Sequence, residues 1–99
     1  LSDAEYLKRS AKALYEAGAF SLVLENMAAT LAKEITELVQ IPTIGIGAGP
    51  ECDGQVLVLH DFMGLTKDRP PFAKAYFDLR AELKKAVSSY KNDVEQGKL

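Results

Sequence analysis

Glu25 is the residue best placed to do chemistry. It closes the apolar run Ala19-Phe20-Ser21-Leu22-Val23-Leu24 and precedes Asn26-Met27. A carboxylate at such a rim loses hydration, which favours its protonated form and suits it to accept a proton. The same position also suits an acid that complements the N-terminus of a following helix. Gly45-x-Gly47-x-Gly49 then opens a loop that runs to Gly54. The string invites a dinucleotide or phosphate reading, yet its third glycine comes one residue too early for GxGxxG, and Pro50 ends it. Glycines that permit a tight turn and close packing are the competing reading. His60 is the only histidine and is followed by Asp61. One histidine does not make a zinc site, and Asp53, Asp61 and Glu25 lie on three separate segments with no motif spacing. Cys52 has no histidine near it in sequence to activate it as a nucleophile, and no second cysteine for an internal disulfide.

These residues must be held by elements the pattern also predicts. From Ser2 to Ala17, the stripe Ala4, Leu7, Ala11, Leu14 and Ala17 has helical spacing. Ser2 is its N-cap, with Glu5 at the capping-box distance, and Gly18 is its left-handed terminator. Ala19–Leu24 is a short apolar run of the kind a strand buried on both faces shows. Leu31, Ile35, Leu38 and Val39 mark a second helix that Pro42 stops. Thr43–Ile46 is a second strand and Gln55–Leu59 a third, ending at His60-Asp61. Two more helices are predicted after Pro70-Pro71: one through Phe72, Tyr76 and Leu79, the other through Leu83, Val87, Tyr90 and Val94 to Gly97. Helix–strand alternation of this kind predicts an α/β fold with a parallel sheet. The eight residues between Ile46 and Gln55 are short for a helical crossover, so an antiparallel hairpin there stays open. Polar residues gather at the C-terminal strand ends, the active face of parallel α/β folds.

Composition narrows the function classes. The chain has 99 residues, 47% hydrophobic and 26% charged, with 12 basic and 14 acidic residues. Disorder is excluded by that content, a membrane span by the lack of about 18 consecutive apolar residues, and a nucleic-acid footprint by the absence of a basic block. The chain begins at Leu1 rather than Met with no signal or transit pattern, and it reads as a cytoplasmic piece of something larger.

Four strings carry a family resemblance: Leu22-Val23-Leu24-Glu25, Leu31-Ala32-Lys33-Glu34-Ile35-Thr36, Ile41-Pro42-Thr43-Ile44-Gly45-Ile46-Gly47-Ala48-Gly49-Pro50, and Asp53-Gly54-Gln55-Val56-Leu57-Val58-Leu59-His60-Asp61. They closely resemble the ketopantoate hydroxymethyltransferases, and the similarity runs from Glu16 through Gly97. It implies a (β/α)8 TIM barrel of the phosphoenolpyruvate/pyruvate type, which needs about 250 residues. Residues 1–99 would then be the C-terminal segment of one barrel domain, about strands six to eight and the terminal helices. On that map the short loop joins two parallel neighbours, and the first strand leaves an open edge where strand five belongs.

The resemblance also implies a reaction. A hydroxymethyl group passes from 5,10-methylenetetrahydrofolate to 3-methyl-2-oxobutanoate, giving 2-dehydropantoate on the route to pantothenate and coenzyme A. Glu25 matches the family's general base, and an apolar collar of Val23, Met27, Ile44 and Ile46 is expected around it. Gly47, Gly49 and His60 would line the mouth of the substrate and folate pocket. Magnesium would stabilise the enolate; its ligands match earlier strands, and no residue of this chain is assigned to it. The expected partners are the 2-oxo acid, the folate, further copies in a homo-oligomer and the N-terminal part of the same enzyme. Nucleic acid and membrane are not expected. Read alone, the chain is expected to be inactive. The alternatives are a non-catalytic assembly or binding element and a phosphate-binding barrel segment.

Overall fold

The computed structural model describes residues 2–99. In chain order the elements are α1 (Asp3–Glu16), β1 (Leu22–Glu25), α2 (Ala29–Leu38), β2 (Thr43–Ile46), β3 (Gly54–Gln55), α3 (Leu59–Phe62) and α4 (Leu79–Glu95). They fall into two compact units that divide between Val56 and Leu57.

In the first unit both ends of α1 are capped as its sequence predicts. Ser2 Oγ accepts the N–H of Glu5 at 3.2 Å. Gly18 takes φ +103°, so its N–H reaches Tyr15 O and the N–H of Ala19 reaches Leu14 O, both at 3.1 Å. These are the paired bonds of a Schellman terminus. α2 ends at Leu38, and Val39 is already extended. Its buried stripe is Ala32, Ile35 and Val39, whereas Leu38, expected on that stripe, is exposed.

The sheet has three strands in the order β1-β2-β3, with β1 at an edge. β1 and β2 are parallel, pairing Leu22 with Thr43 and Glu25 with Ile46. β2 and β3 are also parallel, pairing Ile44 with Gly54 and Gly45 with Gln55. The hairpin alternative is thereby overturned. The third strand is shorter than expected. After the N–H of Val56 bonds Gly45 O at 3.0 Å, the ladder stops, and Phe62 and Met63 close a helical turn on the carbonyls of Val58 and Leu59. His60 and Asp61 therefore sit on α3 rather than at a strand end.

The expectation of strands buried on both faces is corrected as well. β1 alternates buried and exposed residues, and Val23 is 64% exposed. Leu22 and Leu24 face a core made with Ala11, Ala32, Ile35, Val39 and Ala48. A fully buried leucine or isoleucine contributes about 2 kcal/mol by leaving water. The opposite face meets no such layer among the described residues of the first unit.

The second unit contains α3 and α4, and the helix expected through Phe72 and Tyr76 does not form. Pro70 and Pro71 supply no N–H to a helix, and the next amides bond elsewhere: Ala73 to Pro70 O, Tyr76 and Phe77 to Phe62 O, and Leu79 to Met63 O. Regular helix begins only at Leu79, where Asp78 Oδ1 accepts the N–H of Ala81 at 3.1 Å. Leu83, Val87, Tyr90 and Val94 lie along α4 as an exposed apolar row. Gly97 ends that helix with its N–H on Val94 O and that of Lys98 on Asp93 O, a second Schellman terminus. No helix among the described residues is long and apolar enough to cross a membrane.

Candidate active site

Glu25 is the last residue of β1 and stands beside Ile46, the last residue of β2. Side chains alternate along a strand, and register partners share a face. Glu25 thus lies on the same face as Val23, Ile44 and Ile46, opposite the helix-covered core. Its side chain is exposed, and it makes no ion pair among the described residues. Met27 does not belong to this collar: it packs against the core beneath the sheet. The apolar rim is three residues rather than four, and this chain alone does not dehydrate the carboxylate.

The residue after Glu25 shapes the site in a way the sequence reading missed. Asn26 has φ +50°, the only non-glycine residue with positive φ among those described. Asparagine tolerates this left-handed region better than most side chains. The turn lets the N–H of Asn26 bond Ile46 O at 2.9 Å and that of Met27 bond Gly47 O at 3.1 Å. The end of β1 and the start of the glycine loop are fastened together just past Glu25. A polar, αL-prone residue directly after the strand-ending acid was the available signal.

Both candidate pocket glycines have structural work here. Gly47 takes φ +65° and ends the ladder. Gly49 takes φ +81°, and a Cβ there would collide with Ala29 Cβ at the first position of α2. Its carbonyl accepts Gln55 Nε2 at 2.9 Å. The packing reading of the glycine string thus has direct geometric support. Ala28 is the N-cap of α2, which has no side-chain cap and no acid in its first turn, so Glu25 makes no capping hydrogen bond to that helix.

Asp53 is tied down at the other end of the strands. Its Oδ2 accepts the N–H of Thr43 at 2.9 Å, and its own N–H donates to Thr43 Oγ1 at 3.2 Å. Thr43 Oγ1 lies 2.8 Å from Thr36 Oγ1, which itself donates to Ala32 O. Thr43 is fully buried, so this network satisfies polar groups that water does not reach. Cys52 is a half-buried free thiol whose Sγ occupies the space a Cβ on Gly45 would need. In the second unit His60 is exposed, and its carbonyl accepts the N–H of Leu65 at 2.9 Å. Asp61 is buried on α3. No three of His, Cys, Asp and Glu come together to hold a metal among the described residues.

A sequence model of the ketopantoate hydroxymethyltransferase family matches residues 1–99. Curated relatives agree. The chain is 56% identical over 97 residues to the 3-methyl-2-oxobutanoate hydroxymethyltransferase of Metallosphaera sedula, covering 98% of this chain and 37% of that protein. It is 59% identical over 88 residues to the enzyme of that name from Pyrobaculum calidifontis, covering 89% of this chain and 33% of the relative. Against the one from Pyrococcus furiosus it is 54% identical over 96 residues, with 97% and 34% covered. The chain spans about a third of the length of the curated relatives it matches.

Proposed function

The chain belongs to the ketopantoate hydroxymethyltransferase family, and from that premise we propose that it carries the general base, Glu25, of a hydroxymethyl transfer to 3-methyl-2-oxobutanoate. The observation that supports this most is the position of Glu25: an exposed carboxylate at the C-terminal end of a parallel strand, on the sheet face opposite the first unit's core, with no ion pair among the described residues. The C-terminal strand ends are where parallel α/β enzymes gather their catalytic groups. The Glu25 carboxylate takes the proton from C3 of the 2-oxo acid, leaving the electron pair in an enolate. That carbon then attacks the methylene carbon of 5,10-methylenetetrahydrofolate as one of its C–N bonds opens. Water supplies the hydroxyl as the second C–N bond breaks, the two folate nitrogens take up the protons, and 2-dehydropantoate and tetrahydrofolate result. Gly47 and Gly49 at the same strand ends, and His60 on α3, are the proposed pocket residues.

The fuller architecture is part of the proposal. The parallel order β1-β2-β3, the edge at β1 and the uncovered face carrying Val23 are what three consecutive strands of a (β/α)8 barrel would present. Strands from the rest of the barrel would cover that face and dehydrate Glu25. Magnesium, when bound to the oxo acid, supplies Lewis-acid stabilisation of the enolate. As the family resemblance implies, its ligands would come from other segments of the same enzyme. Further copies in a homo-oligomer, an N-terminal segment of the same enzyme and a cytoplasmic setting complete the proposal.

The test is hydrogen exchange at C3 of 3-methyl-2-oxobutanoate in deuterated water, followed by proton NMR on the full protein with magnesium and without folate. Glu25→Gln is expected to lower the exchange rate by at least about a hundredfold, the usual weight of a positioned base. Exchange at the unmodified rate would overturn the assignment.

A further inference from the structure

A cavity of about 540 Å³ opens within the second unit, in the segment between α3 and the first turn of α4. Lys67, Arg69 and Arg80 line it, with Tyr76 and Asp78. None of the three cations is in an ion pair among the described residues. The one lining carboxylate, Asp78, is engaged by the N–H of Ala81 at the start of α4. Arg69 Nε donates to Ala73 O at 2.9 Å, which fixes the side chain and leaves the outer guanidinium nitrogens for another acceptor.

The walls are preformed. Tyr76 stacks on Phe62 with ring centroids 5.3 Å apart, and Phe62 O accepts the N–H groups of both Tyr76 and Phe77. Gly64, with φ +72°, packs so tightly that a Cβ would collide with Phe77 O. An open groove of this size can seat the end of a small ligand, and its three cations, unpaired among the described residues, outnumber the one lining carboxylate and favour clustered negative charge. The near balance of 12 basic and 14 acidic residues, with no basic block, argues against a nucleic-acid or membrane surface as the occupant.

We infer that this groove binds the anionic end of a small molecule through Lys67, Arg69 and Arg80, the ligand presenting two or more clustered carboxylate or phosphate groups. A γ-linked chain of glutamates, as on a folate, is one source of that chemistry and a pyrophosphate group is another. Only the folate source rests on the transfer reading above; the anion site does not.

The test is calorimetric titration of the full protein with γ-linked triglutamate and, separately, with inorganic pyrophosphate, at low and high salt. At least one is expected to bind, more weakly as salt rises, and the tighter of the two identifies the source. Arg80→Gln and Lys67→Gln should each weaken binding roughly tenfold, the loss of about one charge-assisted hydrogen bond, with unchanged circular dichroism. Lys98→Gln, a cation outside the groove, should leave binding as it was. Failure of both probes to bind, or equal weakening by Lys98→Gln, would overturn the site. Neither result depends on turnover, so it is separable from the fate of Glu25.

Discussion

Asp53 and Thr43 hold each other by two reciprocal hydrogen bonds, Thr43 N–H to Asp53 Oδ2 at 2.9 Å and Asp53 N–H to Thr43 Oγ1 at 3.2 Å. Thr43 begins β2, and Asp53 immediately precedes β3. The bracket therefore sets the parallel register at the point where the chain returns without a crossover helix. An aspartate that sequence alone ties to no motif proves to be the clasp of the glycine loop.

Asp53→Ala should destabilise the full protein by about 1–3 kcal/mol, because the buried Thr43 N–H loses its acceptor. Urea unfolding followed by circular dichroism measures it. Asp53→Asn keeps an acceptor oxygen and should cost less. Equal costs would mean that the charge, not the hydrogen bond, matters.

Gly49→Ala should cost more than Gly18→Ala, although both positions have positive φ. At Gly18 a Cβ meets nothing within 4 Å, so only the left-handed backbone is penalised, by about 1–2 kcal/mol. At Gly49 the collision with Ala29 adds to that. Adding Ala29→Gly should recover the difference in part. Thermal unfolding of these three variants, with Ala29→Gly alone as a fourth, separates the two contributions.

Glu25→Gln should not destabilise the protein by more than about 0.5 kcal/mol, since the side chain is outside every ion pair described. Loss of C3 exchange without loss of stability would mark Glu25 as a working base. A stability loss of 1 kcal/mol or more would point instead to a structural acid.

Val23 tests the barrel. It is 64% exposed here, so Val23→Ala costs little if nothing else covers the sheet. If further strands enclose that face in the full protein, truncating it leaves a cavity and should cost more than about 1 kcal/mol in chemical denaturation.

Sequence by itself determined the local structure and the family. Ser2 and Gly18 specify both ends of α1 because capping depends on residues three or four apart, and the helix–strand alternation predicts an α/β fold for the same local reason. The Gly-rich and Asp-Gly-Gln strings carry the family without any coordinates. Tertiary structure decided what depends on partners distant in sequence. The hairpin, left open by spacing though not by the family resemblance, was excluded by the parallel pairing of Ile44 with Gly54. Val56–Leu59 has the composition of a strand, but past Val56 its backbone amides find no ladder, and a helical turn closes instead. Phe72, Tyr76 and Leu79 have helical spacing, yet the N–H groups of Tyr76 and Phe77 bond Phe62 O across an intervening turn. Sequence shows only chemical type, so the structural tasks of Asp53 and Gly49 were not legible in it. Which atom faces Thr43 N–H, and which absent Cβ leaves room for Ala29, is fixed when the chain folds back on itself.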